Sequence, residues 1–158
     1  MTKQIITYCF FIFILGCGFK PVYNDINNRS IIIKQINYTG SNELNYLIQG
    51  NLNLKTEPKS KGLILNITTS ENQIAVTKNT RGINTEKLFS ITIKINIKDY
   101  SNTKNLLTDT FVLTERYTLT DNLDNDNLTR DIIKEKLIQN SINKIRYQLF
   151  LTSKQNEL

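Results

Sequence analysis

The sequence predicts an α+β, two-layer fold: a four-stranded mixed sheet with two helices on one face, in the order β-α-β-β-β-α. Three observations lead to it. Ile91, Ile93, Ile95 and Ile97 alternate with Thr92, Lys94, Asn96 and Lys98, a period of two that leaves one face wet. Leu128, Ile132, Ile138, Ile142, Ile145 and Leu149 fall on one stripe at helical spacing. A shorter helical pattern lies between two β-rich runs, and strands joined through a helix should be parallel.

The elements follow in order. Arg29 to Tyr38 contains Ile31, Ile32, Ile33 and Ile36 and reads as the first strand, apolar on both sides at its start and so inside a sheet. Thr39-Gly40-Ser41 breaks it. Ser41 is a good N-cap with Glu43 in the first turn, and Leu44, Leu47, Ile48 and Leu52 give the helix its apolar face. Gly50 and four asparagines weaken that helix, whose end is expected at Glu57-Pro58. The second strand runs from Leu63 to Glu71, with an extension through Ile74-Ala75-Val76, and the segment Lys78 to Asn84 reads as a polar turn. Ser101 to Asn105 should form a hairpin loop. The fourth strand, Leu106 to Thr120, places Leu107, Phe111, Leu113, Tyr117 and Leu119 on one face; Asp109 and Glu115 interrupt it and are expected at its ends or at a bulge. Asp121 to Asn127 reads as a loop that caps the last helix with Asp126 or Asn127. That helix runs from Leu128 to about Leu151, and residues 153–158 are expected to fray. A second apolar strip on it, Ile133, Leu137, Tyr147 and Leu151, reads either as a widened core face or as a surface for a partner.

The chain begins with Lys3 followed by an apolar run from Ile5 to Leu15, too short for a spanning helix but right for a secretory signal over residues 1–16. Ile14-Leu15-Gly16-Cys17 resembles a bacterial lipobox. Cys17 is then the lipidation site, carrying S-diacylglycerol and an N-acyl chain such as palmitate; two or three chains give a stable anchor where one does not. Gly18 stands where an inner-membrane retention signal would place Asp, so the expected address is the outer membrane, on its periplasmic face. Residues 17–28 would be the lipidated tether, and residues 29–152 a single domain.

Composition narrows the chemistry. Loss of Lys3 with the signal takes the net charge from +6 to +5, a balance that suits phosphate-bearing lipids. Export argues against nucleic acid as a partner. The chain has no His, and after Cys17 no thiol, which excludes the usual zinc sites, His-dependent triads and Cys nucleophiles. A carboxylate-pair hydrolase would have to draw on Asp109, Glu115 or Asp121. We therefore expect no enzyme, no metal and no cofactor beyond the covalent lipid.

Gly16-Cys17-Gly18-Phe19-Lys20-Pro21-Val22-Tyr23 resembles the opening of the alphaproteobacterial form of the LPS-assembly lipoprotein LptE family. The element order and the long last helix agree, as does Arg81 just before the third strand. The resemblance implies a lipoprotein seated in an LptD-type outer-membrane β-barrel, where it acts as plug and assembly partner and binds lipopolysaccharide. It implies Arg81 as a ligand contact, with Lys78 and Lys87 as neighbours; otherwise Arg81 is a solvated turn residue. Where family members carry a second basic residue before the last helix, this chain is acidic, Asp121 to Asn127, and Arg116 and Arg130 are the nearest substitutes. The alternative is an auxiliary lipoprotein of an ABC-type lipid transport system.

Overall fold

The computed structural model describes residues 31–101 and 104–156. The predicted signal, Cys17 and the tether lie outside the described residues. Within them the predicted fold is present: β1 (Ile33–Gly40), α1 (Asn42–Leu52), β2 (Leu63–Lys78), β3 (Asn84–Asp99), β4 (Asn105–Thr118) and α2 (Leu123–Asn156). The sheet order is β1-β2-β3-β4, with β1 parallel to β2 and the other pairs antiparallel.

The core follows from the alternation. Ile91, Ile93, Ile95 and Ile97 are fully buried, and across the ladder Leu65 and Ile67 on β2 and Phe111 and Leu113 on β4 point the same way. Leu44, Ile48 and Leu52 of α1 and Leu137, Ile138, Ile142, Ile145 and Leu149 of α2 close over them. Each such side chain contributes about 1.5–3 kcal/mol relative to exposure. The opposite sheet face carries Asn66, Thr68, Thr92, Lys94, Asn96 and Lys98, as the alternation predicts.

Gly40 turns the chain from β1 into α1. It has φ +94°, and a Cβ there would lie 1.9 Å from the Thr69 carbonyl oxygen, so only glycine permits the approach. Ser41 then caps α1, its side chain accepting from the Leu44 amide at 3.4 Å.

Five expectations change. The first strand lies at a sheet edge rather than inside; of its apolar start Ile33 is buried but Ile32 is 47% exposed, and the α1–β2 connector pairs with the edge, Glu57 N donating to Ile33 O at 2.8 Å. The first helix stops at Leu52, five residues before Glu57-Pro58, because Asn53 adopts the left-handed conformation, φ 46°. The last helix begins at Leu123, not Leu128: Asn122 Oδ1 accepts from the Asp124 amide at 2.9 Å, while Asp126 instead binds the Thr120 amide and hydroxyl, both at 2.8 Å. The helix also continues to Asn156, so residues 153–156 are not frayed. Asp109 and Glu115 neither end β4 nor bulge it. They stay in register opposite Ile95 and Phe89, and α2 meets them with Gln148 (2.9 Å) and Lys136 (2.8 Å).

The two strips on α2 are also redistributed. Ile133 and Leu137 belong to the core, whereas Leu128 (61% exposed) and Ile132 (60%) face out, as do Tyr147 and Leu151. Starting the helix five residues earlier does not change its phase. Leu128 and Ile132 are exposed because the core centres on Lys134, Leu137, Ser141 and Ile145, about half a turn away.

Candidate functional site

Past Ser70, β2 and β3 outrun β1 while β4 stays paired with β3 as far as Glu86, so only the tip of the β2–β3 ribbon, with the turn 79–83, extends beyond its neighbours. Asn79 builds this turn. Its Oδ1 accepts from the amides of Arg81 and Ile83, each at 3.0 Å, and its own backbone pairs with Ile83 and Gly82 at 2.9 Å. Gly82, at φ +75°, reverses the chain. The backbone of Arg81 is thus fixed while its side chain is exposed. Among the described residues, neither Arg81 nor Lys78 makes an ion pair.

The other candidate cations sit at the same end of the sheet but are differently placed. Lys87 is half-buried on the helix side of β3, opposite Ala75 and Tyr117. Arg116, on the open face of β4, lies 3.6 Å from Glu86, which also accepts from the Thr77 hydroxyl at 2.7 Å. Arg130, near the start of α2, is held by Asp131 at 3.1 Å. Both substitutes for the missing second cation are therefore already paired, leaving Arg81 and Lys78 as the open pair. Beneath the ribbon, burial raises the Tyr117 phenol above its ordinary pKa, with Arg130 opposing and Asp126 adding to the shift; Gln73 Nε2 donates to its oxygen.

Two features at this end escaped the sequence reading. The first is Asn79 itself, whose signal was the Asn-x-x-Gly spacing to Gly82. The second is that Ile74, Val76 and Ile83 are all exposed on the ribbon that carries Lys78 and Arg81. A cationic tip flanked by bare branched side chains can meet phosphate and hydrocarbon at once, the chemistry of an anionic amphiphile.

The acids do not converge. Asp109 and Glu115 are six residues apart on β4, about 20 Å at strand rise, and each is bonded to a different residue of α2. Asp121 lies in the β4–α2 loop. Among the described residues, no three His, Cys, Asp or Glu cluster as metal ligands, and no helix is long and apolar enough to cross a membrane.

Comparison with known proteins gives a class through fold alone. No family model matches the chain, and no curated protein matches it. Solved structures do. Rare lipoprotein B from Shewanella oneidensis superposes over 78% of this chain and 99% of its own, with TM-score 0.63 and 13% identity. A minor lipoprotein from Acinetobacter baumannii covers 79% of this chain and 95% of its own, with TM-score 0.57 and 11% identity. Lipoprotein B from Nitrosomonas europaea covers 77% and 86%, with TM-score 0.55 and 12% identity. The chain thus shares the fold of bacterial lipoproteins of the rare lipoprotein B type.

Proposed function

We propose that this protein is an outer-membrane lipoprotein, anchored through Cys17, that plugs and helps assemble an LptD-type β-barrel and binds lipopolysaccharide on its way to the outer leaflet. The observation that carries the reading is the fold, shared over nearly the whole of rare lipoprotein B, in a chain that opens with a lipobox and Gly-Phe-Lys-Pro-Val-Tyr. Arg81 and Lys78, without ion-pair partners among the described residues and set among Ile74, Val76 and Ile83, suit an acylated phosphoglycolipid. Arg81 would grip a phosphate bidentately while the branched side chains meet acyl groups.

Purification of the full chain from outer membranes tests the assembly. It should bring down a large β-barrel protein in near-stoichiometric amount; recovery with inner-membrane transport machinery would instead favour the ABC-type reading, and recovery alone would overturn both. Cys17→Ser should abolish fatty-acid labelling and release the protein from membranes. Arg81→Asp should weaken lipopolysaccharide binding about tenfold or more, the scale of one lost charge-assisted pair.

A further inference from the structure

Asparagine is depleted in strands, yet three adjacent strands present one at the same level of the open sheet face. Asn37, Asn66 and Asn96 are direct cross-strand partners, and Thr108 completes the row on β4. Their side chains are joined. Asn37 Nδ2 donates to Asn66 Oδ1 at 2.8 Å, Asn66 Nδ2 to Asn96 Oδ1 at 3.4 Å, and Asn96 Nδ2 to Asn105 Oδ1 at 2.6 Å and Thr108 Oγ1 at 2.7 Å. Gln35 feeds the row at one end, and Asn105 closes on Thr108 at the other, at 2.7 and 3.0 Å. The next row is Thr39, Thr68, Lys94 and Thr110, with the first two hydroxyls 2.8 Å apart.

These bonds orient the amides without exhausting them. Each amide group has two donor hydrogens and two acceptor lone pairs. Counting bonds among the described residues, Asn37, Asn66 and Asn105 each keep one N–H, and all four asparagines keep one oxygen lone pair. The result is a preset track of alternating donors and acceptors across the sheet, about 14 Å long at normal strand spacing. Lys94 and Lys98 flank Asn96 on the same strand, both exposed and, among the described residues, without an ion-pair partner. The strand carboxylate on this face is Glu86, which Arg116 and Thr77 already engage.

We propose that this face binds an acidic oligosaccharide, its hydroxyls on the Asn and Thr rows and its anionic groups on Lys94 and Lys98. Sugar hydroxyls both donate and accept, which is what the track offers, and preset side chains reduce the ordering cost of binding. A protein partner is the poorer fit, since Lys and small polar residues are depleted at protein interface cores. The surface is separate from the Arg81 turn and does not depend on the lipopolysaccharide reading.

The test is titration calorimetry of the full-length lipidated chain in detergent against hexagalacturonate, uncharged maltohexaose and inorganic phosphate. Hexagalacturonate should bind well above the other two. Lys94→Gln with Lys98→Gln should weaken it about tenfold, about 1.4 kcal/mol, and Asn96→Val severalfold, with thermal midpoints within a few degrees of the parent. Arg81→Ala should bind as the parent does. Absence of hexagalacturonate binding at millimolar concentration would overturn the proposal. So would equal binding of maltohexaose (sugar without charge), equal binding of phosphate (charge without sugar), or an unaffected double lysine variant.

Discussion

Lys134 Nζ on α2 donates to Glu43 Oε1 in the first turn of α1 at 2.8 Å, a bond that spans 91 residues of chain. Glu71 on β2 lies on its other side at 3.2 Å, and the Phe89 ring lies 5.8 Å away. The lysine side chain is only 6% exposed, so one ammonium ties both helices to the sheet from inside the fold. Lys134→Ala should cost about 2–4 kcal/mol, because it empties the buried space of the lysine stem and removes the cation that Glu43 and Glu71 share. Lys134→Met should cost less, since the stem still packs and Glu43, largely exposed, regains water. Urea denaturation of the two variants separates charge from packing.

Alkaline pH should unfold the protein sooner than its composition suggests. Burial acts to lower the Lys134 pKa, but the hydrogen bonds and charges of Glu43 and Glu71 outweigh it and hold it above the ordinary lysine value. Burial raises Tyr38, and burial net of Arg130 and Asp126 raises Tyr117. In each case the native state binds its proton more tightly than the unfolded chain does. That stabilisation is complete below the unfolded values, about 10 for Tyr and 10.4 for Lys, and is lost as pH rises through the native ones. The thermal midpoint should hold to about pH 10 and fall beyond it, less steeply in Lys134→Met and Tyr38→Phe; an unchanged slope in both would refute the assignment.

Arg146 supplies from α2 the cation that α1 lacks in its own last turn. Its guanidinium donates to the carbonyls of Asn51 and Leu52 at 3.1 and 3.2 Å, closing the helix where Asn53 turns it. Arg146→Ala should cost about 1–2 kcal/mol and speed amide exchange at the C-terminal end of α1, with the sheet amides unchanged.

The glycines separate geometry from space. Gly40→Ala places a carbon against the Thr69 carbonyl at a positive φ, so we expect a loss of 3 kcal/mol or more. Gly82→Ala meets nothing within 4 Å and should cost only its conformational strain, about 1 kcal/mol. Gly50→Ala, in the open on α1, should stabilise by about 0.5–1 kcal/mol. Thermal melts of the three should rank in that order.

Asn79→Ala removes the acceptor for the Arg81 and Ile83 amides while leaving every cation in place. It should cost about 1 kcal/mol and weaken lipopolysaccharide binding severalfold by loosening the turn. Arg81→Ala should weaken binding with stability within about 0.5 kcal/mol. A binding assay paired with melts distinguishes anchor from ligand contact.

How far the sequence could be read varies by element. The isoleucine alternation of β3 and the α1 cap at Ser41 rest on near neighbours, and both were legible. The phase of α2 was misjudged because Leu128 and Ile132 fit the stripe on paper, whereas the buried face centres about half a turn away, on Lys134, Leu137 and Ser141. Asp109 and Glu115 looked like interruptions because their partners, Gln148 and Lys136, are 39 and 21 residues away. At the candidate site, Arg81 and Lys78 were visible as a basic turn. That Arg116 and Arg130 were already paired was not.

By itself the sequence determined the α+β class, the β-α-β-β-β-α order and the wet and dry faces of the sheet, because each is written in spacings of a few residues. Only the tertiary structure decided that β1 is an edge, that Lys134 joins two helices to the sheet, that Arg81 at the ribbon's tip has no ion-pair partner among the described residues, and that Asn37, Asn66 and Asn96 form one row. These depend on which distant segments meet and in what register, and a one-residue slip in register would turn the asparagine row into the core.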